Sequence, residues 1–200
     1  MANVAISWWI QVQGPTLAQG DYLPGCLVPI FNPGYGTDGR IWGGEILVAE
    51  VSSFQLALTT TFRPRVAVLL NITPDHIDWH GSLDAYVRNK ARIFANLAGD
   101  DVAVVDVDDP GSAPFARSLA EQGVRVVPVT KGPPPSHGAG VRDGVLVLAT
   151  DRGEVALCHG DELMIRGPHN VSNALAAAAA AVAMGAHATS VGRALAAFRP

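Results

Sequence analysis

Charge is scarce in this sequence: Asp, Glu, Lys and Arg supply 16% of its 200 residues, 14 of them basic and 18 acidic. The formal charge of -4 leaves no basic footprint, which excludes nucleic acid as the main partner. Cysteine is nearly absent. Cys26 and Cys158 stand alone without CxxC spacing. A zinc site wants clustered pairs of ligands and a disulfide framework wants a denser set, so two reduced thiols are expected. Long apolar runs are missing too. Ala174–Met184 falls far short of the ~20 residues that cross a bilayer, and reads as a buried helix. The apolar stretch from Val4 to Val12 lacks the basic flank and cleavage site of a signal peptide. No internal repeat occurs. A soluble, cytoplasmic protein with no membrane partner is expected, and its oligomeric state is not legible.

What is present is core-forming material. Apolar residues make up 48% of the chain, and its length suits one large domain without demanding two. The composition changes near Gly44. Residues 1–44 hold three of the four Trp and only three charged residues, Asp21, Asp38 and Arg40, without clean periodicity. Beyond them, elements alternate regularly. Glu45–Ala49, Val66–Leu70, Val102–Asp106 and Val124–Val129 read as strands of a mostly parallel sheet buried on both faces. Helices are expected from Ser52 or Ser53 to Thr59, from Ser82 to about Leu97, and from Ala113 to Gln122. Behind a Pro/Gly loop at Gly132–Gly140, the strands Val145–Ala149, Glu154–Cys158 and Glu162–Ile165 suggest a small antiparallel meander. An Ala-rich helix opens at His169-Asn170, and Thr189 or Ser190 caps a last one. The fold class is therefore α/β: a doubly wound, mostly parallel sheet flanked by helices, with that meander towards the C-terminal half. Such sheets place ligands beyond the carboxyl ends of their strands.

Candidate chemistry gathers at those ends. Glu50 directly follows the first predicted strand, where it could hold a hard metal or could cap the next helix. After Val66–Leu70 comes Asn71-Ile72-Thr73-Pro74-Asp75-His76-Ile77-Asp78-Trp79-His80, with two Asp and two His in six residues. This is either a metal or phosphate loop, for which carboxylate-rich surroundings suit magnesium, or a polar connection. Lys90 lies within a helical stripe that otherwise packs inward, so it snorkels to water or is directed into a site. Asn170 and Asn173, three apart at a helix start, could read a nucleobase edge, and Asn170 could also cap.

Taken in order, these segments resemble the Mur ligase family. Glu50-Val51-Ser52-Ser53-Phe54-Gln55-Leu56 is similar to the signature of the members that join D-glutamate to UDP-N-acetylmuramoyl-L-alanine. Asn71 to Asp78, then Tyr86 and Lys90-Ala91-Arg92-Ile93-Phe94, resembles the family's next block, and His169-Asn170 with Asn173-Ala174 its adenine-side block. The resemblance covers about residues 45–200 and implies an incomplete central, ATP-binding domain. It implies ATP and magnesium as cofactors, with Glu50, His76 and a carbamylated Lys90 as the catalytic, metal-holding groups. It further implies that Asn170 and Asn173 lie against adenine, and that Ser52 and Gln55 face UDP-N-acetylmuramoyl-L-alanine. The implied reaction is ATP-driven amide formation through an acyl phosphate, with D-glutamate as second substrate.

One family feature is lacking. No phosphate loop ending in Gly-Lys-Ser/Thr occurs; the nearest string, Gly36-Thr37-Asp38-Gly39-Arg40-Ile41, stands too close to Glu45 for a crossover helix to intervene. Residues 1–44 are therefore expected to be foreign to the domain, from a shifted reading frame or a wrong start. No uridine-nucleotide domain is expected before it, and the chain stops where the hinge to a third domain should begin. The chain by itself is expected to be inactive, and a non-catalytic remnant or nucleotide-binding module is the alternative.

Overall fold

The computed structural model describes residues 48–199. The described residues divide between two units, 48–60 and 61–199. In the first unit the described chain enters helix α1 (Ser53–Leu58) through a capping box. The Ser52 side chain accepts from the Gln55 N–H, and the Gln55 side chain accepts from the Ser52 N–H at 2.7 Å. The strand expected over Glu45–Ala49 is not borne out where it is described. Val48 and Ala49 are exposed, non-strand backbone, Val48 with 59% of its surface accessible, and the rest of that span lies outside the described residues. An apolar run is strand-compatible, but pairing and burial decide whether it becomes one.

The second unit carries six strands among its described residues, in the spatial order β1-β2-β3-β4-β5-β6. Strands β1 (Val66–Leu69), β2 (Val102–Asp106), β3 (Arg125–Val129) and β4 (Ala139–Arg142) are parallel neighbours. Strands β5 (Val145–Thr150) and β6 (Gly153–His159) continue the same sheet antiparallel. The expected class is thus observed. All five β2 residues are buried, as a central strand covered on both faces requires. On one face Ala67, Leu69, Ala103 and Val105 pack with Tyr86 and Phe94, and with Leu119 of α4 (Ala113–Glu121). On the opposite face runs α5 (Pro168–Ala183), touching β1 through β5. Its buried Ala174, Ala176, Ala178 and Ala179 let the helix lie close against the sheet, at no side-chain entropy cost. Helix α6 (Ala188–Ala197) covers β6.

Several local expectations are corrected. The meander does not include Glu162–Ile165; Gly160–Glu162 is a 3₁₀ turn, and the third meander strand is β4. β4 escapes pattern reading because Gly140 interrupts it. A Cβ there would meet Gly132 O at 2.5 Å and Pro134 N at 2.6 Å, so the Pro/Gly loop can lie against the strand only over a glycine. Ser82 does cap the helix after the β1 loop, but α3 (Leu83–Ala91) passes at Arg92–Phe94 into a 3₁₀ turn. A four-residue helix, α2 (Ile77–His80), precedes it. Neither Asn170 nor Thr189 nor Ser190 caps: the N-cap positions are Gly167 and His187. Cys158 is a buried, unpaired thiol pushed up by burial and then by Glu162, which makes it unreactive; Cys26 lies outside the described residues.

Candidate active site

At the carboxyl end of β1 the chain opens into the Asn71–His76 loop. A neighbouring turn holds it: Asp109, beyond β2, accepts from the Ile72 N–H at 3.1 Å and from the Ser112 N–H at 2.8 Å. The next strand end is braced likewise. Asp108 accepts the Thr130 hydroxyl at 2.6 Å and the Lys131 N–H at 2.7 Å, with Lys131 Nζ at 3.0 Å. Burial alone would raise the Asp108 carboxyl, but the Lys131 N–H, the Thr130 hydroxyl and the Lys131 ammonium outweigh it and hold it below the usual range. These ties fix the sheet's carboxyl edge, where doubly wound folds bind ligands.

Lys90, in the last turn of α3, answers the question its helical stripe left open. Its Nζ donates to the Asn71 carbonyl at 3.3 Å and lies 5.3 Å from the centroid of the buried Tyr86 ring. The lysine therefore turns back over the loop that carries His76. His76 itself has left-handed backbone, φ 52° and ψ 34°, as N-cap of α2. That conformation is unfavourable for a residue with a Cβ and marks the loop as a place where backbone strain is retained. The His76 N–H donates to Asp75 Oδ1 at 2.9 Å, and its Nε2 lies 3.5 Å from Asp75 Oδ2. Lys90 and the His76 loop are thus brought together. Glu50 lies on the exposed segment before α1 in the first unit, where Ser52 and Gln55 are committed to the capping box. Among the described residues no three His, Cys, Asp or Glu side chains cluster to hold a metal.

Asn170 and Asn173 do meet at the start of α5. Asn173 Nδ2 donates to Asn170 Oδ1 at 3.3 Å, and Asn170 Nδ2 donates to the Arg166 carbonyl at 2.8 Å. Asn170 is only 4% exposed, so its amide acts inside the protein and orients Asn173. Beside this helix start opens a cavity of about 450 Å³, lined among others by Lys131, Val141, Leu163, Arg166, Pro168 and Val171. Its size suits a small organic ligand. Ser172, between Asn170 and Asn173 in sequence, has its hydroxyl buried and unpartnered among the described residues. Replacing it with alanine removes a desolvated hydroxyl and favours the helix, so Ser172→Ala is expected to stabilise by about 1 kcal/mol. A thermal midpoint raised by about 2–4 °C would show this, and a lowered one would refute it.

Comparison with known proteins bears on what this arrangement serves. The profile of the family described as Mur ligase middle domain matches residues 41–181, well over half of the chain. The chain belongs to the Mur ligase family. A UDP-N-acetylmuramoylalanine--D-glutamate ligase from Pelotomaculum thermopropionicum is 42% identical over 165 residues, 82% of this chain and 34% of that protein. The ligase of the same name from Salinibacter ruber is 48% identical over 142 residues, 70% of this chain and 31% of that protein. The chain therefore spans about a third of the length of these relatives. In fold it is similar to MurF from Acinetobacter baumannii, with a TM-score of 0.54 at 24% identity over 74% of this chain and 31% of that one. All the segments that carry the resemblance, from Glu50 to Ala174, fall inside the Mur ligase match. Two features of this Mur ligase domain were not legible in sequence: the Asp108 brace, hidden in a turn-like Asp108-Asp109-Pro110-Gly111, and the His80–Asn89 contact across nine residues. Neither has a spacing signature.

Proposed function

We propose that this chain is the larger part of the ATP-binding domain of a cytoplasmic ligase of peptidoglycan precursor synthesis. The activity would be the joining of D-glutamate to UDP-N-acetylmuramoyl-L-alanine at the expense of ATP, through an acyl phosphate. The observation that carries the reading is Lys90 turned onto the Asn71 carbonyl at the carboxyl end of β1, within a chain that is family over residues 41–181. We place the start of that domain near residue 45, while the family match already begins at residue 41.

The donor types suit magnesium on one condition. An ammonium repels a cation, so Lys90 must be converted to a carbamate, which presents two oxygens as a carboxylate does. The family resemblance assigns that metal to His76 and the carbamylated Lys90, and names Glu50 as a further ligand; the metal would offset phosphate charge when bound. The remaining tasks fall to the chain's own groups. Asn173, oriented by Asn170, would offer its amide to the adenine edge. Ser52 and Gln55 would face the muramoyl substrate through the atoms their capping box leaves available.

A second reading, a nucleotide-binding module without turnover, is favoured by the lack of any Gly-Lys-Ser/Thr string in the 200 residues. Each charge-assisted phosphate contact is worth ~1.5–3 kcal/mol, so losing a few weakens ATP binding by several orders of magnitude. Calorimetric titration with ATP and magnesium, beside a phosphate-release assay with both substrates, tests these readings. Weak binding that Asn173→Ala abolishes, without phosphate release, is expected of the chain by itself. Micromolar binding with turnover would overturn that inactivity, and no binding at saturating ATP would overturn the nucleotide site.

A further inference from the structure

The turn that carries His76 and the helix that carries Lys90 are joined by a contact to which the reaction assigns no role. Asn89 Nδ2 lies 2.9 Å from His80 Nδ1, linking the last residue of α2 to α3. The His80 ring makes T-shaped contacts with Tyr86, centroids 5.2 Å apart at 68°, and with Trp79, at 4.6 Å and 78°. Tyr86 is 3% exposed and belongs to the core cluster on this face of the sheet. The Lys90 ammonium lies over that ring, and Lys90 follows Asn89 directly in the chain.

We propose that His80 and Asn89 are positioning residues for Lys90: their hydrogen bond clips α2 to α3, and the His80 ring packs against the Tyr86 ring on which the lysine rests. As the side chains are placed, the Asn89 amide nitrogen donates, so Nδ1 of His80 accepts and the ring proton resides on Nε2. T-shaped packing then sets the imidazole against the Tyr86 ring, whose other contacts come from the core. Helix α2 is a single turn carrying exposed Trp79, closed by the His80 N–H to the His76 carbonyl at 3.1 Å and the Gly81 N–H to the Ile77 carbonyl at 2.8 Å, with Ile77 packed on the core. A helix of one turn is marginal by itself, so a side-chain bond to α3 adds to how firmly the loop under Lys90 is held. The importance of the clip for catalysis rests on the proposed function; the clip itself does not.

The chain contains two lysines, Lys90 and Lys131, and this makes the test internal. Limiting acylation of the intact protein with an N-hydroxysuccinimide ester, read by peptide mass spectrometry, gives the rate at each. In His80→Ala the Lys90 rate should rise about three- to fivefold relative to Lys131, the factor a cation–π contact of ordinary strength provides. His80→Phe keeps a ring against Tyr86 but loses the amide bond, and should give a smaller rise. Asn89→Ala removes only the clip, at a helical position where alanine is favourable, and carries the test should His80→Ala fail to fold. An unchanged Lys90 rate in a folded variant, or an equal rise at both lysines, would overturn the proposal. If native protein bound no ATP with magnesium, the functional reading would fall while the labelling contrast remained.

Discussion

Alanine at position 192 is expected to cost about 2–4 kcal/mol of stability and to lower the thermal midpoint by about 4–16 °C. Gly192 lies buried in α6 where that helix crosses β6. A Cβ there would press on the Leu157 carbonyl oxygen and stand 2.7 Å from its carbon and 3.0 Å from Leu157 Cα. All three atoms are backbone of a strand paired to β5, so relief requires moving the whole helix. Two effects oppose each other. Glycine to alanine inside a helix normally gains ~1 kcal/mol, partly by restricting the unfolded chain. Overpacking against fixed backbone exceeds this, because the helix loses its contact along β6 rather than at one atom. Differential scanning calorimetry decides: a variant as stable as the native protein, or more so, would mean that α6 can rise from β6 without loss.

The second large effect is expected at Asp101, at the opposite end of the sheet from the candidate site. Its side chain is 3% exposed and accepts from Arg63 Nε at 2.6 Å, Arg65 Nη1 at 3.1 Å and the Ala98 N–H at 3.0 Å. Arg63 in turn donates to the Ala98 carbonyl at 2.8 Å. This cluster ties the lead-in to β1, the exit from the α3 region and the entry to β2. Asp101→Ala would leave the Ala98 N–H without its partner and is expected to cost about 2–3 kcal/mol. The figure stays at the low end because both arginines are half-exposed and can turn to water. Burial raises the Asp101 carboxyl, but the Ala98 N–H, Arg63 and Arg65 together lower it below the ordinary value of 3.8. A carboxyl lowered in the folded state stabilises fully above its unfolded pKa, and that contribution disappears as pH falls through the folded value. Native protein should therefore lose stability below about pH 4. Asp101→Asn should be less stable at neutral pH and lose less on acidification. An unchanged acid limb of the stability–pH curve would refute the assignment.

How far the sequence carried can be judged from particular residues. Val102–Asp106 reads as a buried strand because every residue up to its last is apolar, and β2 is buried throughout. The Ser52 cap, the Ser82 cap and the alternation of strand and helix were local signals with local causes, and all were observed. Reading failed where a partner rather than a pattern decides: Gly140 sits in a strand because a loop needs room above it, and Val48 is not in one despite its apolar neighbours.

For the candidate site the division is similar. Sequence by itself determined the chemistry available: Glu50, His76, Lys90, Asn170 and Asn173 in blocks that belong to the Mur ligase family, without a Gly-Lys-Ser/Thr loop. Only tertiary structure decided direction. Helical spacing places Lys90 on an inward stripe, but the carbonyl that receives it is nineteen residues away in sequence. Spacing likewise pairs Asn170 with Asn173, and only packing shows that Asn170 is buried and holds its neighbour. The physical reason is common to both. Periodicity reports which face of an element is apolar, whereas the orientation of a polar side chain depends on a partner supplied by another segment.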